Sequence, residues 1–331
     1  MNHSNFKRRA LACLISSAFL GAASMPLLAQ EAWPTKPIRV IVPFTAGGGT
    51  DQLARIIQEP MQRRLGQPLI IDNRAGGGTI IGTKAVIASP ADGYTLLMTT
   101  NASFSVIPQI TQPVPYVVAD SLEMIAHVGD SPMVFTVNTT MPTTFQQFQA
   151  MAKQKPGQLN FGSSGLGTAT HLAGEVLLKD TDMKMVHVPF KGGADASNAL
   201  AGGHINSMVD GLNLAVPLIK SGRVVPLVVL QPERSSFLPN TPSLKEVGFP
   251  NASLSAISFL LAAPKGTPPQ IVARVATAVE ESLKEKKVID SMAALQTIPV
   301  GTGPAATTDF VRRQTATYGK IITDNKIQMQ N

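Results

Sequence analysis

Apolar positions along the chain alternate between two periods. Residues 38–44 (IRVIVPF) form an apolar, β-branched run, which suits a strand buried on both faces of a parallel sheet. After three consecutive glycines, Leu53, Ile56, Ile57, Met61 and Leu65 recur at helical spacing, with Gly66 as the C-cap and Pro60 expected to kink the helix. A strand at 69–72, a glycine loop, a helix over 80–88 and a strand at 94–99 come next, so this stretch reads βαβαβ and predicts an open, mainly parallel sheet.

The pattern then restarts. Strands are predicted at 133–138, 159–162, 185–190, 207–210 and 224–230, with helices over 144–154, 170–178, 194–201 and 214–221 between them. The last part returns to a strand at 255–262 and two helices over 269–295 and 305–324. In the first of these helices Ile271, Val272, Val275, Val279 and Leu283 mark one apolar face. Two α/β units, the first completed by the C-terminal segment, predict a two-lobed α/β fold with two crossovers, near Ser131 and Ala252. Lobe 1 is then 30–131 plus 253–331, and lobe 2 is 132–252.

Composition adds compartment and partner class. The 331 residues are 44% hydrophobic and 15% charged, as in a well-packed globular protein. Lys7, Arg8 and Arg9 precede an apolar, small-residue run that ends at Ala29, so residues 1–29 read as a secretory signal peptide. Its removal takes away three cations and no acid, lowering the net charge from +7 to +4. The single cysteine, Cys13, lies inside it at the start of the apolar run, which argues against lipidation and leaves a cysteine-free exported chain. No later run reaches membrane-spanning length, so the exported part is expected to be soluble. No basic stripe interleaved with aromatics points to nucleic acid.

Four loops share one plan, in which a strand ends, small or hydroxyl residues come after it and a helix begins. They cover 44–51 (FTAGGGTD), 73–79 (NRAGGGT), 162–168 (GSSGLGT) and 189–194 (PFKGGA). Helix N-termini present unpaired N–H groups to an anion, each worth about 0.3–1 kcal/mol. Nucleotide motifs fail. GxGxxG breaks at Gln52, and the P-loop-like stretch at 77–84 has Thr83 and Lys84 in reverse order. The nucleophile elbow GxSxG is broken by Leu166 after Ser164. His171 and His187 are possible bases, but a helix first turn and a strand suit packing roles. His171 with Glu175 lacks a third metal ligand, and no cofactor or metal is expected.

The motifs WPTKPIRVIVPFxxGGGTD, DNRAGGG, FGSSGxGTxxHLAGE, PFKGG, MVDG and PERSxxLPxTPSLKEVG occur in this order over essentially the whole exported chain. In this the sequence resembles the Bug-type solute-binding receptors of tripartite tricarboxylate transporters. The resemblance implies a periplasmic Venus-flytrap receptor of type II-like architecture that encloses a small organic carboxylate, passes it to a membrane permease through a transient contact and works as a monomer. It places Ser163, Ser164 and Thr168 on the ligand's carboxylate, helped by the backbone near Gly192 and Gly193. Waters bridging to the ligand's far end map onto Thr45, Ala46, Gly47 and Gly48 and onto Ala75, Gly76 and Gly77. Thr100, Asn101, Ala102 and Asp210 match pocket positions, while Phe44, Phe190 and Lys191 border the cleft. Thr45-Ala46, Ala75, Asn101 and Asp195 depart from the family pattern, which bears on ligand identity. Two other readings stay open: an exported serine hydrolase using Ser164 with His171, and a ligand sensor that feeds a signalling partner.

Overall fold

A computed structural model describes residues 33–249 and 256–325. The signal-peptide reading, the crossover near Ala252 and the start of the strand expected at 255 lie outside the described residues. Trp33, Pro34 and Thr35 form a short lead-in with a cis Trp33–Pro34 peptide, and the folded unit begins at Lys36.

The strands are β1 (Ile38–Val42), β2 (Leu69–Asn73), β3 (Thr95–Thr100), β4 (Leu122–Asn138), β5 (Asn160–Ser163), β6 (Val186–Pro189), β7 (Ser207–Gly211), β8 (Val224–Val229), β9 (Ala256–Pro264) and β10 (Ile298–Thr302). The helices are α1 (Gly49–Leu65), α2 (Ile80–Ile87), α3 (Asn101–Ser105), α4 (Ile107–Ile110), α5 (Val118–Ser121), α6 (Phe145–Gln154), α7 (Ala169–Asp180), α8 (Gly193–Ala201), α9 (Leu212–Lys220), α10 (Pro269–Leu283), α11 (Lys286–Ala294) and α12 (Pro304–Asn325). A 3-10 turn, Gly77–Thr79, precedes α2.

The sheet runs in the order β2-β1-β3-β9-β4-β7-β5-β6, with β8 and β10 also on β4. Its two ends are parallel, β2-β1-β3 on one side and β7-β5-β6 on the other, as the alternating pattern predicts. Its middle is antiparallel, because β9 runs against both β3 and β4, and β4 against β7 and β8. The first βαβαβ stretch is parallel as expected, and the antiparallel centre is built from β4 and β9, strands distant in sequence that no single βα unit reveals.

β4 is the joint. It was expected only at 133–138, but it begins at Leu122. Glu123, His127, Gly129 and Asp130 mask the first part from a hydropathy reading. That part pairs with β9 as far as Pro132↔Ala256, and the pairing with β7 begins at Met133↔Gly211. The chain therefore passes from one lobe to the other within a single strand, and it returns between β8 and β9.

Each lobe has its own core. Ile41, Leu97, Leu260, Phe104, Val86 and Val311 pack together in the first. In the second, Val134, Val229, Leu212 and Val216 form one cluster and Leu200, Ile205, Met208 and Val224 another, with Ile219 packed against both. Each such side chain contributes about 1.5–3 kcal/mol on burial. The helix expected over 269–295 is broken at Lys284-Glu285. Glu285 takes extended backbone angles, and its carboxylate is held by Arg63 (2.7 Å) and Arg64 of α1. The helix α1 runs through Pro60 without ending and stops at Gly66, whose φ of 77° suits glycine.

Leu260 lies fully buried on β9 between β3 and β4. Leu260→Ala should destabilise the protein by about 2–5 kcal/mol. Urea unfolding read by circular dichroism measures this, and a loss below about 1 kcal/mol would show that this site is not close-packed.

Candidate functional site

The sequence places a helix directly after β1, β5, β6 and β7, and the parallel ends of the sheet bring those helix starts to one place. The N-termini of α1, α7, α8 and α9 open on a chamber of ≈ 30 Å³. Gly48, Gly49 and Thr50 come from α1, Thr168, Ala169 and Thr170 from α7, Gly193 from α8, and Asn213 and Leu214 from α9. Ser164, Thr100 and Asp210 add polar groups, and Phe44, Ile257 and Phe259 close the apolar side. Among the described residues no lysine, arginine or histidine lines it. Any attraction for an anion comes from N–H groups, hydroxyls and helix dipoles.

The hydroxyls are ordered among themselves. Thr168 Oγ1 donates to Gly165 O (2.7 Å) and accepts from His171 N (3.4 Å), capping α7. Thr170 Oγ1 accepts from Ser164 N (3.0 Å) and lies 3.0 Å from Thr168 Oγ1 and 2.9 Å from Ser164 Oγ. If Thr170 donates to Ser164, the Ser164 proton is free for a ligand, and no bond to the backbone is broken.

Asp210, at the end of β7, is buried. One carboxylate oxygen accepts from Gly211 N (2.8 Å) and the other from Ser197 Oγ (2.9 Å). Burial pushes its pKa up to about 7, outweighing those two hydrogen bonds. Asp51 behaves oppositely. Burial resists its ionisation, but Arg55 and the Gly47 N–H hold its carboxyl below the usual value and fix the start of α1.

A second chamber of ≈ 230 Å³ shares only Phe44 and Ser164 with the first. Its wall comprises Pro43 and Phe44, the loop Gly76, Gly77, Gly78 and Thr79, and Ser164, Leu166, Pro189, Phe190 and Lys191. Facing loops of the two lobes meet here at close range. A Cβ on Gly78, whose φ is +60°, would lie 2.1 Å from Leu166 O, and one on Gly192 would lie 2.4 Å from Thr45 Oγ1. A larger apolar groove, of ≈ 620 Å³, lies elsewhere, between α12 and the segment before β4.

The residues expected from sequence divide accordingly. Phe44 and Ser164 line both chambers, Gly48, Thr168, Gly193 and Asp210 the inner, and Gly76, Gly77 and Lys191 the outer. Thr45 and Gly192 touch across the cleft, and Thr45 Oγ1 is buried without a partner. Ala46, Gly47, Ala75, Asn101 and Ser163 line neither chamber. Ser163 Oγ lies 2.7 Å from His187 Nε2, because neighbouring residues at a strand end point to opposite faces. Asn101 donates to the Tyr318 hydroxyl of α12 (2.8 Å), and Thr100 lines the chamber.

Other lining residues were missed. Thr170 had a signal, a hydroxyl two positions after Thr168, and Asn213 opens the helix that comes after Asp210-Gly211. Ile257 and Phe259 had none, since only the β4–β9 pairing brings them in.

The pair Ser164 with His171 is not assembled. His171 Nδ1 accepts from Gly167 N (3.1 Å), its Nε2 lies 3.7 Å from Glu175, and its ring stacks on His187 at 4.0 Å. Burial, with His171 adjacent, pushes the His187 pKa down to about 3, so this imidazole stays neutral.

Two lobes on one shared strand, with helix starts ringing the cleft between them, define a solute-binding receptor. The chain belongs to the tripartite tricarboxylate transporter family receptors (TctC), whose family model matches residues 53–327. It is 32% identical over 305 residues to Protein BugT of Bordetella pertussis, covering 92% of this chain and 93% of that one. Among solved structures it is similar to R. palustris Rpa4515 with adipate (30% identity, TM-score 0.86, 89% of this chain and 99% of that one). It is also similar to the periplasmic binding protein BugD (28% identity, TM-score 0.86, 90% and 100%). Family and neighbours are binding proteins, and no helix among the described residues is long and apolar enough to cross a membrane.

The raised Asp210 pKa fixes the sign of a pH effect. Folded protein keeps a proton that the unfolded chain releases near 3.8, so this group's stabilising contribution is lost as pH rises from about 4 through about 7. Asp210→Asn carries no such loss. Its melting temperature relative to the unmodified protein should therefore rise between pH 5 and pH 8, and a pH-independent difference in thermal melts would contradict the assignment.

Proposed function

We propose that this receptor captures a small organic carboxylate between its two lobes, closes on it without turning it over, and presents the closed form to a membrane permease. The observation that carries this reading is the inner chamber, where four helix N-termini and five hydroxyl residues converge with no cation. Several such donors satisfy a carboxylate in a desolvated cleft. The adipate on the related Rpa4515 supports a carboxylate ligand. The protein works in the periplasm as a monomer. Lobe 1 comprises 30–131 with 253–331 and lobe 2 comprises 132–252, a division supported by the change of β4 partners between Pro132 and Met133. Ser131 Oγ at this joint donates to Asn213 Oδ1 (3.2 Å), which ties the hinge to the inner chamber.

A screen of carboxylic acids and their fully esterified forms by thermal shift and calorimetry tests the reading. An acid at 100 times its dissociation constant should add about 2.7 kcal/mol of stability, and its full ester should add none. Ser164→Ala should weaken binding about tenfold or more, since it removes a hydroxyl from a charged partner, and Thr168→Val should weaken it by removing the N-cap that holds the start of α7. No product should form with either variant or with the unmodified protein. Binding of neutral esters in preference to acids would sink the carboxylate reading, and turnover that Ser164→Ala abolishes would favour the hydrolase.

A further inference from the structure

The two chambers differ in size and charge. At ≈ 30 Å³ the inner one has room for a carboxylate head and little more, given that one water-sized probe sphere takes about 10–15 Å³. A ligand of several carbons that seats its carboxylate there must send the remainder past Ser164 and Phe44, the residues common to both walls, into the ≈ 230 Å³ outer chamber. The near part of that chamber is apolar, with Pro43, Phe44 and Phe190 suited to methylene groups.

Its one charged wall residue is Lys191, directly after β6. Lys191 is exposed and forms no ion pair among the described residues. The nearest acid along the chain, Asp195 on α8, does not line the chamber. We propose that Lys191 receives the second carboxylate of a short α,ω-dicarboxylate whose first carboxylate sits in the inner chamber, so that Lys191 selects diacids over monoacids. This rests on the carboxylate-receptor reading above. It adds a residue outside the helix-terminus ring and a narrower ligand class. The two ends are read by different physics: the inner one by fixed N–H and O–H donors, the outer one by a mobile ammonium on a flexible stem. A ligand with a single carboxylate uses only the first.

Calorimetry with succinate, glutarate and adipate, each beside its own monomethyl ester, tests this on the unmodified protein, Lys191→Met and Lys191→Arg. The unmodified protein should bind at least one diacid about tenfold more tightly than its monoester, the usual scale for one charge-assisted contact. Lys191→Met should bring that ratio to within about twofold by weakening the diacid far more than the monoester, and Lys191→Arg should restore most of it, because guanidinium keeps the charge. If no diacid exceeds its monoester, or if Lys191→Met keeps the preference, the assignment to Lys191 is wrong while monoester binding leaves the receptor reading standing. If neither diacids nor monoesters bind, that reading and this one fall together.

Discussion

The site depends on the register of one strand. β4 spans both lobes, and its neighbours supply much of the inner chamber. Phe259 stands opposite Gly129, Ile257 opposite Ser131 and Asp210 opposite Val134. Successive residues of a strand face opposite sides, so a one-residue slip of β4 would turn its own side chains to the wrong face and misalign these neighbours across the cleft. The register is secured by burial on both sides of the crossover, with Leu260 and Leu261 on β9 and Val134 and Phe135 on β4 all inaccessible to solvent. Residues that build the core therefore also aim the groups that line the chamber.

The chamber's electrostatics are set by where helices can start. A helix after a parallel strand exposes its first N–H groups at the strand's C-terminal end, and four such starts face one volume. Facing loops of the two lobes also come close, hence glycine at 78, before α2, and at 192, before α8, where a Cβ would overlap Leu166 O and Thr45 Oγ1 of the opposing lobe. Backbone N–H groups at the helix starts are donors fixed in place. A rigid ring of donors loses little entropy when it binds, unlike a set of long cationic side chains.

Much of this was legible in the sequence. The alternating periods gave all but one strand and most helix positions, and repeated loop chemistry pointed to the four glycine-rich turns. What escaped has physical reasons. The first part of β4 carries Glu123, His127 and Asp130, and pairing supplied by β9 and β10 outweighs that polar pattern. The missed β10 is short, mostly exposed and interrupted by Pro299 and Gly301, and it is held by β4. Within the loops, sequence named the right turns but could not choose between adjacent side chains. Ser163 and Ser164, or Thr100 and Asn101, differ only in which face the strand end presents, and that is settled by His187 and Tyr318 from elsewhere. Ile257 and Phe259 are separated from the other lining residues by a long stretch of chain, and no local motif could have brought them in.

Asp210 is the place where these constraints conflict. A buried carboxylate is ordinarily paired with a cation, because desolvating a lone charge is costly. Here no charged group contributes to its titration; Gly211 N–H and Ser197 alone offset burial. Placing a lysine or arginine beside it would neutralise it, but would also put a mobile cation in a chamber whose donors are fixed backbone. Keeping the proton solves the same problem without a partner. A neutral Asp210 adds no negative charge to the chamber, and ionisation would set its carboxylate against an anion bound there. Such an anion would therefore hold the proton on Asp210 more tightly than the empty cleft does, so the absence of cations that makes the inner chamber rely on helix termini would also couple capture of an anion there to one buried proton.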